Sequence, residues 1–267
     1  MNRRPADQSI NRWEIRFPNG NSAWAVRCPV GTPPIDLLSS LHIQQPGALV
    51  MITGGASKMD GQVDSNLSRL FTQGIAPVAI SMGAMIIDGG TQAGVMKMIG
   101  DAVSEQRQRI ILLGVSAEGR VRYPGKPVEA DGQTRTQLDP NHSHFILVET
   151  NDRGGETETM YGLAGLLSTT CSSVAILSNG GRITVEEVAQ NVIQQRPVIV
   201  ITGSGRFADD LARFLQSQSP DLPDSKLAGI IAQGDFHLFP INGAPDDFAR
   251  LILHLLGERK LSHRRPS

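Results

Sequence analysis

The chain has 267 residues, of which 25 are Lys or Arg and 26 are Asp or Glu, giving a formal net charge of −1. This balance argues against a protein whose main task is to bind the phosphate backbone of a nucleic acid. The aromatic share of 4% also argues against a platform on which single-stranded bases stack. Glycine, with 28 residues, is the compositional feature to follow along the chain.

Cysteine usage and hydropathy predict a cytoplasmic protein with no metal site and no membrane insertion. Cys28 and Cys171 are far apart and outside any Cys-x-x-Cys pattern, which argues against a disulfide scaffold and a zinc site. Residues 1–10 have no apolar core of the kind that a secretory signal needs. The most apolar stretch, residues 76–87, is far shorter than the roughly 20 residues that span a bilayer.

The first part of the chain predicts a β-hairpin. Apolar residues alternate within 10–27 on both sides of Asn19-Gly20, and Asn-Gly between β-rich runs is a strong hairpin signal. A loop rich in proline follows, and residues 35–41 predict a short helix that begins near Thr32. The pattern changes from Pro46 onward, so we expect the hairpin and its linker to pack on a separate main domain.

In the main domain, short apolar runs alternate with amphipathic stretches. Runs without polar alternation are typical of strands buried on both faces of a parallel sheet. They cover residues 48–52, 84–87, 110–115, 144–148, 174–177 and 197–201. Helices are predicted over residues 63–76, 95–105, 157–168, 184–194, 206–216 and 246–256. This repeat predicts an α/β fold with a Rossmann-like, doubly wound, mainly parallel sheet and helices on both faces. The predicted divisions are the hairpin and linker at 1–45, the Rossmann-like domain at 46–257 and a basic tail at 258–267.

Most predicted strands end in a glycine-rich loop that leads into a helix. In a doubly wound sheet such loops meet at the carboxyl edge, where ligands bind. Glycine permits close backbone approach and positive φ, and the N–H groups of a helix N-terminus favour an anion. Several such loops predict an anionic ligand, specifically a nucleotide, although none has the Walker A or the complete Gly-x-Gly-x-x-Gly pattern. The four loops are centred on Gly54-Gly55, Gly89-Gly90, Gly180-Gly181 and Gly203-Ser204-Gly205.

One of these loops, Ile87-Asp88-Gly89-Gly90-Thr91-Gln92-Ala93-Gly94-Val95-Met96, resembles the glycine-rich loop of the SLOG superfamily. That superfamily includes the DprA proteins, the LONELY GUY phosphoribohydrolases and the N-terminal regions of TRPM cation channels. The stretches 52–56, 138–148 and 196–209 are similar to the TRPM-like branch, and a free-standing chain of this type resembles the prokaryotic LSDAT family. The resemblance implies a nucleotide-sensing domain that binds ADP-ribose or a related nucleotide and requires no cofactor.

A second motif concerns the enzymatic branch of the superfamily. LONELY GUY enzymes carry Pro-Gly-Gly-x-Gly-Thr-x-x-Glu, in which the backbone holds a nucleotide phosphate and the Glu acts at the ribose. In the similar stretch 179–187, Asn179 replaces the Pro and Ile183 replaces the third Gly. Because Ile is strongly disfavoured at positive φ, a loop that needs Gly there must change shape. The positions that match are Gly180, Gly181, Thr184 and Glu187. A sensor is therefore favoured, and the alternative is a phosphoribohydrolase or N-glycosidase with Glu187 as its catalytic residue.

Charged side chains at the same edge complete the predicted site. Arg153, Arg182 and Arg206 lie in or beside the loops, where a guanidinium can meet a diphosphate in bidentate fashion. Each is alternatively a solvated loop charge, and Glu187 is alternatively a carboxylate that stabilises its helix dipole. The predicted ligand-binding residues are Thr53, Gly54, Gly55, Ala56, Lys58, Gly89, Gly90, Thr91, Gly94, Val95, Arg153, Gly154, Asn179, Gly180, Gly181, Arg182, Thr184, Gly203, Ser204, Gly205 and Arg206.

Two further features leave alternatives open. His142 and His144 lie near Asp139, but no third metal ligand is close in sequence, so a structural role at the strand entrance is favoured over a metal site. The partner expected from the residues is a small nucleotide, not a nucleic acid. Two partners are candidates for recognising the ligand-bound protein: a second copy of the chain, and an effector protein.

Overall fold

The structure contains a nine-stranded sheet with helices on both faces. The computed structural model describes residues 10–55, 60–106, 108–127, 132–217 and 225–262. The strands of the main sheet are Arg12–Arg16 (β1), Ser22–Cys28 (β2), Ala48–Gly54 (β3), Ala84–Asp88 (β4), Leu112–Ala117 (β5), His144–Val148 (β8), Ser172–Ser178 (β9), Val198–Thr202 (β10) and Phe236–Pro240 (β11). Val121–Arg122 (β6) and Thr136–Gln137 (β7) form a separate two-stranded ribbon. The order in the main sheet is β1-β2-β8-β5-β4-β3-β9-β10-β11.

The N-terminal hairpin is part of the main sheet. Strand β1 pairs with β2 in antiparallel fashion, and β2 pairs in parallel with β8. The other neighbouring pairs of the main sheet are parallel. The predicted mainly parallel α/β fold with an N-terminal hairpin is therefore confirmed. The hairpin extends the edge of the sheet and does not pack on its face.

The helices lie on the two faces of the sheet. Their bounds are Pro34–Ser40 (α1), Gly61–Leu70 (α2), Ala76–Ser81 (α3), Gly94–Ser104 (α4), Thr157–Ser168 (α5), Arg182–Ile193 (α6), Arg206–Ser217 (α7), Ser225–Ile231 (α8) and Pro245–Ser262 (α9). Residues of α1, α5, α6, α7 and α8 share one hydrophobic core, and residues of α2, α3, α4 and α9 share the other. None of the helices in the described ranges has the length and apolar character needed to cross a membrane.

Three parts of the fold differ from the sequence-based prediction. Helix α8 and strand β11 were not predicted, and β11 is an edge strand with one buried residue, so it lacks the continuous apolar run of the inner strands. The helix predicted to end at residue 76 continues through a π-helical segment, Phe71–Ile75, into α3. There Gly74 lies against Phe248 of α9, which leaves no room for a larger side chain. Helix α9 runs past Gly257 to Ser262, because a Gly within a helix weakens it without ending it.

The stagger of the strands brings two distant parts of the chain together. Asp88, the last residue of β4, is level with Gly114 of β5, and Gly114 is level with Phe145 near the start of β8. The carboxyl end of β4 is therefore level with the amino end of β8, with β5 between the two strands. A side chain at Gly114 would place its Cβ 2.5 Å from the Cα of Gly90 and 2.8 Å from the Phe145 ring. Glycine at this position allows the loop after β4 to close over the sheet.

We expect Gly114→Ala to lower the free energy of unfolding by about 1–3 kcal/mol, because the added methyl group meets backbone and a buried ring. Gly229→Ala is the matched control, since its new Cβ meets nothing within 4 Å and its helix gains propensity. The control should be more stable by about 0.5–1 kcal/mol. Urea unfolding of both variants checks this, and equal stabilities would contradict the close approach.

Candidate functional site

A cavity of about 480 Å³ lies at the carboxyl edge of the sheet. It is lined by loops that follow β3, β4, β5, β8, β9 and β10, together with residues of the β6–β7 ribbon. The lining residues are Ile52, Gly54, Gly55, Gly89, Thr91, Met96, Ser116, Ala117, Arg120, Val121, Thr134, Thr136, Arg153, Gly154, Glu156, Met160, Gly181, Arg182, Ile183, Thr184, Glu187 and Arg206. This is the edge at which the parallel strands of a doubly wound sheet place their ligand.

The loop after β3 forms part of the cavity wall because its glycines allow neighbouring backbone to approach. A Cβ on Gly54 would lie 2.3 Å from the carbonyl oxygen of Ser178, and one on Gly55 would lie 3.0 Å from Asn179 Oδ1. The preceding Thr53 is buried, and its Oγ1 lies 3.3 Å from the hydroxyl of Tyr161. Two adjacent strand ends therefore meet at the cavity without a side chain between them.

The loop after β4 turns one glycine towards the cavity and the other into the protein. Gly89 lines the cavity, and Ser116 Oγ donates a 2.6 Å hydrogen bond to its carbonyl oxygen. Gly90 has φ +67°, is buried against Gly114 and Phe145, and does not line the cavity. A substitution at Gly90 would therefore disturb packing before it affected a ligand.

Buried charged groups hold this turn from below. Nε2 of His142 lies 2.8 Å from Asp88 Oδ1, and Nδ1 lies 3.1 Å from Asp139 Oδ1. Asp88 Oδ1 also accepts a 2.6 Å hydrogen bond from the N–H of Gly90, whose carbonyl accepts one from the N–H of Asp139. Burial lowers the pKa of His142, but the two carboxylates outweigh it and raise the pKa to about 9. His142 is thus an imidazolium at neutral pH and lies between two carboxylates.

His142 and His144 both lie in surroundings typical of residues with a structural role. The ring of His142 stacks on Phe145 at 5.5 Å, and burial lowers the pKa of His144 to about 4. In the described part of the chain, no three His, Cys, Asp or Glu side chains are grouped so that they could hold a metal ion.

Part of the loop after β9 is buried in the interior, and the rest of it lines the cavity. Asn179 has φ +56° and is buried, and its side-chain amide donates a 3.2 Å hydrogen bond to the carbonyl of Ser204. Gly180 has φ +107° and is also buried. Gly181 lines the cavity at the N-terminus of α6, where its N–H donates to Thr184 Oγ1 at 3.1 Å. This loop therefore presents the first turn of α6 to the cavity.

The N–H groups of the loop after β10 already donate to a carboxylate side chain of the protein, that of Asp209. The N–H of Gly203 donates to Asp209 Oδ1 at 2.6 Å, and the N–H of Gly205 donates to Asp209 Oδ2 at 3.0 Å. Ser204 is buried, and its Oγ donates to the carbonyl of Ile201. The N–H groups of this glycine-rich loop donate to a carboxylate of α7. The loop is not part of the cavity lining.

Among the described residues, the cations that line the cavity are all arginines. Arg120, Arg153, Arg182 and Arg206 come from four different strand ends. The guanidinium of Arg206 lies over Gly181, with Nη2 3.2 Å from where a Cβ of that residue would stand. Arg120 donates through Nε to the carbonyl of Asn151 at 2.6 Å. Arg153 and Arg182 are exposed and, among the described residues, have neither an ion pair nor a side-chain hydrogen bond. They are available to an anion from solution.

Two carboxylates also line the cavity. Burial, followed by the negative charges of Glu156, Glu186 and Asp88, raises the pKa of Glu187 to about 8. Burial likewise raises the pKa of Glu156, against the opposing effect of backbone hydrogen bonds. Carboxyl groups with raised pKa values in a cavity are common at functional sites.

The structure brings together about half of the residues predicted from the sequence. The predicted residues that line the cavity are Gly54, Gly55, Gly89, Thr91, Arg153, Gly154, Gly181, Arg182, Thr184, Glu187 and Arg206. Those that lie outside its lining are Thr53, Gly90, Gly94, Val95, Asn179, Gly180, Gly203, Ser204 and Gly205. Ala56 and Lys58 lie outside the described residues.

Sequence reasoning missed eleven of the lining residues, and the polar ones among them are Ser116, Arg120, Thr134, Thr136 and Glu156. Arg120 follows β5 just as the predicted residues follow their strands, so the strand-end rule could have found it. Glu156 immediately precedes α5 in the same segment as Arg153. Thr134 and Thr136 belong to the ribbon segment between β5 and β8, which has no pattern that would direct it to the cavity.

The fold and the position of the cavity define a Rossmann-like α/β domain with a candidate ligand site at the carboxyl edge of its parallel sheet. Residues 47–250, about three quarters of the chain, match the profile of the family described as SLOG in TRPM, prokaryote. The chain belongs to this family, which confirms the resemblance drawn from the glycine-rich loop.

The chain is also similar to parts of TRPM channels. It is 29% identical to transient receptor potential cation channel subfamily M member 2 of Mus musculus, over 73% of this chain and 15% of that protein. It is 28% identical to the member-like 2 protein of Nematostella vectensis, over 84% of this chain and 17% of that protein. Human member 5 is 28% identical, over 77% of this chain and 21% of its own length. The chain thus spans about a fifth or less of these relatives.

The buried charge cluster predicts that stability depends on the protonation of His142. Because the folded pKa of about 9 lies above the ordinary value of 6.5, the stabilisation is complete below pH 6.5 and is lost as pH rises through 9. We expect His142→Gln to lower the free energy of unfolding at pH 7 by about 3–5 kcal/mol, since it leaves buried carboxylates unpaired.

Denaturant unfolding at pH 7 and at pH 10 measures this effect. The wild type should lose stability between the two values, and His142→Gln should lose much less. His144→Gln is the control, because His144 is neutral throughout this range and should leave the pH dependence unchanged. A wild type whose stability is the same at both pH values would contradict the imidazolium assignment.

Proposed function

We propose that this protein is a nucleotide sensor that binds an ADP-ribose-like ligand in the cavity at the carboxyl edge. The observation that supports this most is the charge of the cavity wall. Of the residues that the structure describes, four arginines line it against two carboxylates, in a chain whose net charge is −1. A local excess of guanidinium groups beside glycine backbone at the cavity wall suits a diphosphate, which arginine recognises in bidentate fashion.

The geometry of the cavity also suits a ligand of this size. Its volume of about 480 Å³ falls within the range of small-molecule sites, roughly 300–1,000 Å³. The first turn of α6 faces the cavity, and the N–H groups of such a turn have no partner within their own helix. Apolar side chains, Ile52, Met96 and Met160, line the cavity as well and offer a surface for a base or a sugar.

The placement of the diphosphate follows from which loops are open. We place it between the Gly54-Gly55 loop, Gly89 and the Gly181-Arg182 turn, with Arg153 and Arg206 around it. The Gly203-Ser204-Gly205 loop has no part in this placement, because Asp209 accepts its N–H groups. The proposal includes a cytoplasmic location, no resident cofactor, and an effector protein or a second copy of the chain as reader of the bound state.

A second candidate function is hydrolysis of a nucleotide by Glu187. It is favoured by one observation: Glu187 lines the cavity with a pKa of about 8, close to the value at which a general acid or base is effective. Against it, Ile183 packs beside Gly154, with side-chain atoms 3.5–3.7 Å from where a Cβ of Gly154 would stand. The position that is glycine in the LONELY GUY motif is therefore filled by a branched side chain at the cavity wall.

Calorimetric titration with ADP-ribose, AMP, NAD and cyclic nucleotides tests the sensor. We expect saturable binding of ADP-ribose, and we expect Arg182→Ala and Arg153→Ala each to weaken it about tenfold or more through loss of a charge-assisted hydrogen bond. Arg16→Ala is the control, because Arg16 is an exposed arginine of β1 far from the carboxyl-edge loops in the sheet order. Equal affinities of all three variants would show that Arg153 and Arg182 do not contribute to ligand binding.

Chromatography of each mixture after long incubation separates the two candidate functions. The sensor predicts unchanged ligand. Release of free base and ribose 5-phosphate from AMP, abolished in Glu187→Gln, would establish the enzyme in its place. A variant that retains the release would assign it to a contaminant.

A further inference from the structure

The turn after β10 holds Arg206 in a backbone conformation that arginine rarely adopts. Of the four residues that follow β10, Gly203 has φ +82°, Gly205 has φ +94° and Arg206 has φ +54°. Glycine adopts such angles without strain, but in arginine the Cβ then comes too close to a neighbouring carbonyl oxygen. A strained residue of this kind persists only where its surroundings hold it, and such residues cluster at functional sites.

Asp209, in the first turn of α7, is the side chain that holds this turn. Its Oδ1 accepts a 2.6 Å hydrogen bond from the N–H of Gly203, and its Oδ2 accepts one of 3.0 Å from the N–H of Gly205. Backbone N–H groups that converge in this way form a concave anion site, and here the anion belongs to the protein. Both carboxylate oxygens are therefore engaged by the residues that lead into Arg206.

The same turn is tied to the loop after β9. Ser204 Oγ accepts a 2.8 Å hydrogen bond from the N–H of Asn179, and the carbonyl of Ser204 accepts one of 3.2 Å from Asn179 Nδ2. The N–H of Ala208 donates to the carbonyl of Asn179 at 2.9 Å. Held between these contacts, Arg206 places its Nη2 3.2 Å from where a Cβ of Gly181 would stand, over the start of α6. The backbone of the turn thus decides where this guanidinium lies.

We propose that Asp209 is a positioning residue for ligand binding. By holding the turn after β10, it fixes the backbone of Arg206 and keeps the guanidinium over the N-terminus of α6, where we place the diphosphate. Asp209 is not part of the cavity lining, so it acts through Arg206 and not by contact with the ligand. This inference rests on the proposed function, since it explains how one arginine of the cavity is oriented.

The effect of removing Asp209 has a sign that separates this role from two simpler ones. Charge alone predicts that loss of a carboxylate near the cavity strengthens the binding of an anion. Release of the N–H groups of Gly203 and Gly205 would likewise offer a phosphate a new site. Loss of the position of Arg206 instead weakens binding. A positioning role therefore predicts the opposite change from an electrostatic role or from simple occupation of the loop.

A double-mutant cycle on ADP-ribose affinity tests the proposal. We expect Asp209→Asn and Arg206→Ala each to weaken binding about tenfold, through loss of a charge-assisted hydrogen bond. The double variant should be no weaker than either single variant, because no guanidinium is then left to position. Asp210→Asn is the matched control, since Asp210 pairs with the exposed Arg213, and its affinity should be that of the wild type.

Two results of the cycle would overturn the proposal. One is an affinity of Asp209→Asn that is equal to or higher than that of the wild type. The other is a further loss of about tenfold when Asp209→Asn is added to Arg206→Ala, because the carboxylate would then act independently of the guanidinium.

The position of the guanidinium can also be measured without a ligand. In the apo protein with ¹⁵N-labelled arginine, the Nε signal of Arg206 is assigned by its loss in Arg206→Ala. Asp209→Asn should shift this signal towards that of a mobile, solvent-exposed arginine, and Asp210→Asn should leave it in place. A signal that Asp209→Asn does not move would overturn the positioning role.

The conformation at position 206 is tested by variants that leave Asp209 intact. Because glycine adopts φ +54° freely, Arg206→Gly should unfold at a higher urea concentration than Arg206→Ala, although both lose the guanidinium. Both should bind ADP-ribose equally weakly. Equal unfolding midpoints would contradict a held, left-handed conformation at this position and overturn the proposal with it.

Failure of this inference can be distinguished from failure of the proposed function. Absence of ADP-ribose binding by the wild type would refute the proposed ligand, while the Nε signal of the apo protein would still decide whether Asp209 positions Arg206. Binding that is weakened by Arg206→Ala but not by Asp209→Asn would leave the sensor intact and overturn the positioning role.

Discussion

The imidazolium of His142 between Asp88 and Asp139 is the interaction on which the candidate site depends. It joins the carboxyl end of β4 to the loop before β8, and Asp88 in turn holds the N–H of Gly90. The same carboxylate contributes to the raised pKa of Glu187 across the sheet edge. Asp88 therefore holds the turn that presents Gly89 and also influences the charge of the cavity above it.

The parts of the fold that could be predicted from the sequence are those whose burial is uniform. The strands near 48–52 and 174–177 lie in the middle of the sheet, and their continuous apolar runs indicate burial on both faces. Strand β11 was missed because an edge strand with partly exposed residues carries no such pattern. The strand stagger that places His142 beneath Asp88 is a long-range property, and no local sequence pattern contains it.

The site could be predicted only where glycine and strand ends coincide with the cavity. Sequence alone does not distinguish Gly89 from Gly90, although one faces the cavity and the other packs on Gly114. It also does not distinguish a loop that is open to an anion from the loop after β10, because the difference lies in the side chain of Asp209. Backbone N–H groups attract whichever carboxylate or phosphate reaches them, and the fold decides which one does.

The hairpin at the edge of the sheet has a consequence for self-association. Within the part of the chain that the structure describes, its outer strand β1 pairs with β2 alone, and such an edge is a template for pairing with another chain. Alternate residues of β1 are Arg12, Glu14 and Arg16, so one face of this edge is charged along its whole length. A second strand that docked there would have to bring its side chains against this row. Strand β1, at the edge of the sheet, thereby also disfavours extension of the sheet by a strand of another molecule.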